Sequence, residues 1–162
     1  MQQKNKIKEI IESSFSTLVE WREHLHANPE LSFQEEQTSA FVASKLKAMG
    51  IPFEKGIAGT GIVALIKGRN PEKQCLALRA DLDALPIVEE NDVAYKSKVE
   101  GVMHACGHDV HTTCLLGAAK ALQSLKDEFE GSVKLIFQPG EEVLPGGASL
   151  MIKEGVLENP KV

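Results

Sequence analysis

The stretch GSVKLIFQPGEE, residues 131–142, sets the reading of the whole chain. Its apolar run reads as a buried strand, and Pro139-Gly140 stops it. Two adjacent acids, Glu141 and Glu142, follow that stop. Immediately upstream, CGHDVHTTCLLGAAKALQSLKDEFE (106–130) predicts a long helix with Leu115, Leu116, Ala119, Leu122 and Leu125 as its apolar stripe. Downstream, GGASLMIKEGVL (146–157) predicts a short helix with apolar positions at Leu150, Met151 and Val156. Working further outward, TGIVALIKG (60–68) and QCLALRA (74–80) are short, apolar and partly β-branched. RNPEK, with its turn-forming Asn-Pro, separates them, and the pattern predicts an antiparallel hairpin. DLDALPIVEENDVAYKSKVEG (81–101) reads as an acidic loop.

Two helices open the chain. Apolar residues at Ile7, Ile10, Ile11, Phe15, Leu18, Val19 and Leu25 recur in steps of three and four, with a stop at Asn28 before Pro29. Residues 32–50 form the second helix, with Ser32 as N-cap, Glu35 three residues on as its capping-box partner, and Gly50 as the C-terminal stop. The order α, α, β, β, α, β, α predicts an α/β fold, a mixed β-sheet flanked by helices. Ligands in such sheets bind beyond the carboxyl ends of the strands. The two most acidic strand ends are LRADLD and FQPGEE.

The composition narrows the function. A chain of 162 residues suits a single domain with a real core. A net charge of −5 gives no basic footprint for nucleic acid. No apolar run approaches the ~20 residues of a membrane span, and the polar N-terminus lacks a signal h-region. Three cysteines without framework spacing argue against disulfides, so the expected location is cytoplasmic.

Three segments carry the chemistry. In RADLDALP, Asp81 and Asp83 share one side if the strand extends that far, and two close like charges need a cation or donors between them. In MHACGHDVHTT, Cys106 and His108 sit at the expected start of the long helix. Thiolate and imidazole suit zinc and similar first-row ions, and a helix N-terminus is expected to lower the thiol pKa. A catalytic Cys-His pair is the rival, but two residues on one turn are poorly placed for it and no oxyanion-hole motif accompanies them. Cys114 is expected to pack. In FQPGEEVLPGG, adjacent Glu141 and Glu142 point in different directions, so one can bind metal while the other handles a proton. Each segment alone reads as an ordinary acidic loop or packed cysteine; together they favour a metal-dependent hydrolase.

LRADLDALP, MHACGHDVHTT and FQPGEE, in this order, resemble the aminoacylase-like metallo-amidohydrolases and metallopeptidases. The branch includes hippurate hydrolases, N-acyl-amino-acid amidohydrolases and auxin-conjugate hydrolases. Arg22, His26 and Pro29-Glu30-Leu31 match a further motif, and the likeness spans nearly the whole chain. The resemblance implies a zinc-peptidase-like catalytic domain and a centre of two divalent metal ions, for which zinc, manganese, nickel or cobalt are all suitable. It implies Cys106, His108 and Glu142 as metal ligands, Glu141 as general base and Asp83 as a catalytic acid-motif residue. In relatives with a His-x-Asp motif, Asp81 stands in the histidine position. His104 and His111 are not carried over as ligands, and His26 is read as structural.

The substrate implied is a small N-acyl amino acid. N-acetyl-diaminopimelate or a dipeptide is the alternative within the family, and a non-catalytic metal-binding module the alternative outside it. The family's two further histidines and its lid or dimerisation domain, through which a homo-oligomer would form, have no counterpart here. The expectation is therefore that residues 1–162 are the N-terminal part of a longer catalytic metallo-hydrolase domain, apparently truncated, and inactive alone.

Overall fold

The computed structural model describes residues 2–162. Its elements are α1 (Gln2–Ala27), α2 (Glu36–Ala48), β1 (Phe53–Ile57), β2 (Gly61–Lys67), β3 (Cys75–Asp81), α3 (His108–Ser124), β4 (Ser132–Gln138) and α4 (Gly147–Lys153), with a 3-10 turn at Lys126–Glu128. They form a four-stranded sheet in the order β1-β2-β4-β3. β2 pairs antiparallel with β1 and β4, whereas β3 runs parallel to β4. The mixed sheet flanked by helices is as expected.

The hairpin is not. β2 and β3 are both neighbours of β4 and do not pair with each other. The reason is burial. Every residue of β4 is buried, so it takes the middle of the sheet, while β3 is only partly covered. The β3–α3–β4 crossover then delivers two parallel strands with a helix packed over them. β1, FEKGI, was not anticipated, because its half-exposed edge position gives no apolar alternation to read.

The main core lies between the sheet and the α2–α3 layer. Val42 and Leu46 meet Ile62, Ala64, Ile66, Leu135 and Phe137, with Leu115, Leu116 and Ala119 from α3. α1 lies on α3, where a side chain at Gly117 would press on Leu18. Ile136, Met151, Val156 and Ala58 form a smaller cluster under α4. Lys134 is also buried in β4, and its ammonium donates to the carbonyls of Val156 and Pro160. That pairing makes a charged residue tolerable inside a fully buried strand.

The capping box at Ser32 does not form. Glu30 supplies the cap instead: its carboxylate accepts from Gln37 N at 3.0 Å and Thr38 N at 2.7 Å. Ser32 and Glu35 are directed to the strand ends, where both motif loops need support.

Candidate metal centre

Asp81 closes β3, and the next residue stays tied to β4 through Leu82 N donating to Gln138 O at 2.9 Å. Asp83 therefore lies in the loop beyond the strand rather than on it. There its Oδ2 accepts from Ser32 Oγ at 2.6 Å and from Glu142 N at 2.9 Å. One buried carboxylate thus fastens the RADLD loop to the GEE loop.

The GEE loop has a second fastening that the motifs did not reveal. Glu35 is fully buried, and its carboxylate accepts from Gly140 N at 2.8 Å, from Phe33 N at 2.9 Å and from Thr60 Oγ1. Gly140 itself has φ of 54°, and a Cβ there would run into the Phe33 ring. Glycine is thus required both by the backbone and by the space. No spacing rule marks Glu35, since Gly140 and Thr60 come from distant parts of the chain.

α3 begins at His108, with Gly107 as a left-handed N-cap, so Cys106 lies just before the helix. His108 is buried, with Nδ1 2.8 Å from the Asp83 carbonyl oxygen and 3.3 Å from Asp83 Oδ1. A carbonyl only accepts, so Nδ1 carries a hydrogen and Nε2 is left to bind something else. Donor atoms of Cys106, His108 and Glu142 all lie within 4.8 Å of one another. Glu142 Oε1 is 3.9 Å from His108 Nε2 and is buried with no hydrogen-bond partner among the described residues. A thiol, an imidazole and a carboxylate converging on an unsatisfied buried oxygen fit a first-row divalent cation. Glu141, the adjacent acid, is exposed.

The electrostatics agree with a site built for positive charge. Burial pushes the Asp83 carboxyl up, but hydrogen bonds from His108, Ser32 and the Glu142 and Glu141 backbone outweigh it and hold it well below the usual range. Burial would lower His108, yet its bonds to Asp83 and the charge of Asp81 raise it to about 9. The expected lowering of Cys106 does not occur. Desolvation, then Glu142, Glu141 and Asp81, push the thiol up, because acids surround it and outweigh the helix terminus. A cation binding between these groups would therefore displace protons from both.

The other flagged residues separate clearly. His26 is buried, with Nδ1 2.7 Å from Asp109 Oδ2 and Nε2 3.0 Å from Glu89 Oε1. Arg22 Nε lies 3.0 Å from the same Asp109 oxygen. The Arg22–His26 motif thus clamps α1 to the start of α3, which is the structural role expected of His26. His104 is buried, neither ring nitrogen has a partner among the described residues, and burial lowers its pKa to about 4. His111 is exposed, with its ring 5.6 Å from that of His108. Cys114, expected to pack, is exposed. The position faces outward from α3, so it belongs to no apolar stripe.

The pattern of peptidase family M20/M25/M40 matches residues 77–162. The chain is 45% identical over 159 residues to an N-acyl-L-amino acid amidohydrolase of Geobacillus stearothermophilus, covering 98% of this chain and 43% of that protein. It is 51% identical over 137 residues to a hippurate hydrolase of Campylobacter jejuni, covering 85% and 35% respectively. The crystal structure of a dinuclear metal-binding peptidase of family M20 from Bacillus subtilis superposes with a TM-score of 0.83 at 41% identity, over 90% of this chain and 40% of that one. The chain therefore spans well under half the length of the curated relatives it matches.

Proposed function

This chain belongs to peptidase family M20/M25/M40, and we propose that its residues 1–162 form part of a catalytic domain that hydrolyses the amide bond of small N-acyl amino acids. The observation that carries the reading is the convergence of Cys106, His108 and Glu142 on the unpartnered buried oxygen of Glu142. The similar amidohydrolase and hippurate hydrolase supply the substrate class.

Cys106, His108 and Glu142 would hold a divalent cation. The dinuclear Bacillus subtilis peptidase supports two such ions in the intact protein; zinc, manganese, nickel and cobalt all suit these donor types. A bound cation supplies Lewis-acid polarisation of the amide carbonyl and makes water acidic enough to attack at neutral pH. Asp83 is a positioning residue: its carbonyl and carboxylate hold His108 in the tautomer that presents Nε2. Glu141 is assigned the proton transfers. Its carboxylate takes a proton from the attacking water and returns it to the leaving amine nitrogen. Ser32 and Glu35 keep the loop that carries it in place through Asp83 and Gly140.

No helix among the described residues is long and apolar enough to cross a membrane. Three free cysteines support a reducing, cytoplasmic location.

The test is hydrolysis of hippurate and N-acetyl amino acids by the intact protein, before and after chelation and with metal restored. Glu141→Gln should lower kcat by about 10²–10⁴-fold while bound metal, read by elemental analysis, is unchanged. Activity that survives chelation, or a Glu141→Gln variant as active as its parent, sinks the reading.

A further inference from the structure

We propose that Phe33 is a positioning residue for Glu141: its ring, presented from a left-handed backbone, bears on Gly140 and fixes the peptide that carries the acid. The proposal rests on the hydrolase reading, in which Glu141 moves the protons.

Glu141 has little of its own to hold it. Its side chain is exposed, so packing does not set its place. What precision it has comes through the backbone on either side. Glu142 N donates to Asp83 Oδ2 at 2.9 Å. On the other side, Gly140 is held in three ways. Its N–H donates to Glu35 Oε1 at 2.8 Å, its carbonyl accepts from Gly147 N at 2.9 Å, and its Cα meets the Phe33 ring. A Cβ on Gly140 would stand 2.4 Å from Cζ, 2.5 Å from Cε1 and 2.6 Å from Cε2 of Phe33. The tip of the ring thus fills the space where a side chain would begin.

Phe33 reaches that place against its backbone preference. Its φ is 63°, in the region that a bulky residue rarely enters. Such a conformation persists only where the surroundings over-determine it, and it gathers at functional sites. Here Leu31 bridges to Ala84, Ser32 Oγ donates to Asp83 Oδ2 at 2.6 Å, and Phe33 N donates to Glu35 Oε1 at 2.9 Å. The oxygen that accepts from Phe33 N is the one that accepts from Gly140 N. One buried atom therefore ties the strained residue to the glycine that its ring touches. Core packing does not account for the ring: Phe33 is half-buried and, among the described residues, joins neither apolar cluster. A reacting group displaced by about 1 Å loses on the order of 10²-fold in rate, so a wedge beneath the Glu141 peptide bears directly on turnover.

Steady-state hydrolysis of hippurate by the intact protein tests this, with bound metal read by elemental analysis. Phe33→Ala should lower kcat roughly tenfold or more, with KM within about twofold and metal content unchanged, because Glu141 works in the chemical step rather than in binding. Phe33→Gly, which also suits the left-handed backbone, should show the same loss and guards against a fault in folding. Added to Glu141→Gln, Phe33→Ala should change the residual kcat by less than about twofold, since the group it positions is gone. A ring that merely supported the fold would lower the rate by the same factor in both backgrounds.

Gly140→Ala reports on the contact itself. A left-handed alanine is strained whether or not the ring is there, so that penalty cancels between backgrounds and the collision remains. Gly140→Ala should therefore cost about tenfold more in kcat with Phe33 present than in Phe33→Ala. A Phe33→Ala or Phe33→Gly protein with kcat within about twofold of the parent, a loss of bound metal alongside rate, or equal losses with and without Glu141→Gln overturns the proposal and leaves the hydrolase reading standing. A fully active Glu141→Gln variant overturns both.

Discussion

His26 and His108 are both buried histidines beside carboxylates, yet their surroundings prepare them for opposite work. Beneath α1, each nitrogen of His26 faces an acid, Asp109 on one side and Glu89 on the other. At the strand ends, Asp83 occupies only one side of His108, and Nε2 lies 3.9 Å from Glu142 Oε1, in a cluster that also holds Cys106. The first arrangement is closed and ties three parts of the chain together. The second has one nitrogen uncommitted, which is the condition for holding a metal. A histidine's role here follows from how many of its nitrogens the fold has engaged, not from its burial.

The sharpest way to break that comparison is to remove each ring in turn. His26→Ala would strip two buried carboxylates of a partner and should cost about 3 kcal/mol, with metal binding largely kept. His108→Ala should do the reverse, abolishing metal uptake at a smaller cost in stability. Urea denaturation and metal titration on both variants check this, and equal losses in both assays would erase the distinction. Asp83→Asn asks how much the engaged side of His108 matters. It should weaken metal affinity about 10–100-fold without removing the ligand, as measured by competition with a chelating dye.

The smallest effect concerns pH. Burial pushes Glu89 up, but the Ser97 backbone N–H, His26 and Asn91 outweigh it and hold it at about 2, against an ordinary 4.5. A depressed folded-state value means that the unfolded chain binds the proton more readily. The stability that Glu89 contributes is thus present above about 4.5 and is lost as pH falls towards 2. Glu89→Gln should destabilise the protein by roughly 1–3 kcal/mol at pH 7 and by clearly less at pH 3. Denaturation at the two pH values checks this, and a cost that does not shrink in acid would show that Glu89 acts through packing instead.

Much of this is legible in the sequence. Pro139-Gly140 marks the end of β4, and the two acids behind it lie where a strand-end site should be. The 3.6-residue stripe of Leu115, Leu116 and Ala119 locates α3 and its buried face. β1 was not legible, because an edge strand that buries little carries no periodic signal. The capping of α2 was misread: Ser32 and Glu35 match the local pattern, but their partners Asp83 and Gly140 are long-range. A buried carboxylate with three donors outweighs what a surface cap would provide.

The sequence by itself determined the candidate donor types, the elements that carry them and the family, because residue chemistry and hydrophobic periodicity are local properties. Only the tertiary structure decided that β4 separates β2 from β3, since strand order depends on which strand buries both faces. It alone decided which nitrogen of His108 is available, that acids raise the Cys106 thiol, and that the Phe33 ring meets Gly140. Each of these depends on distances between residues far apart along the chain, and such distances exist only once the sheet and α3 have packed together.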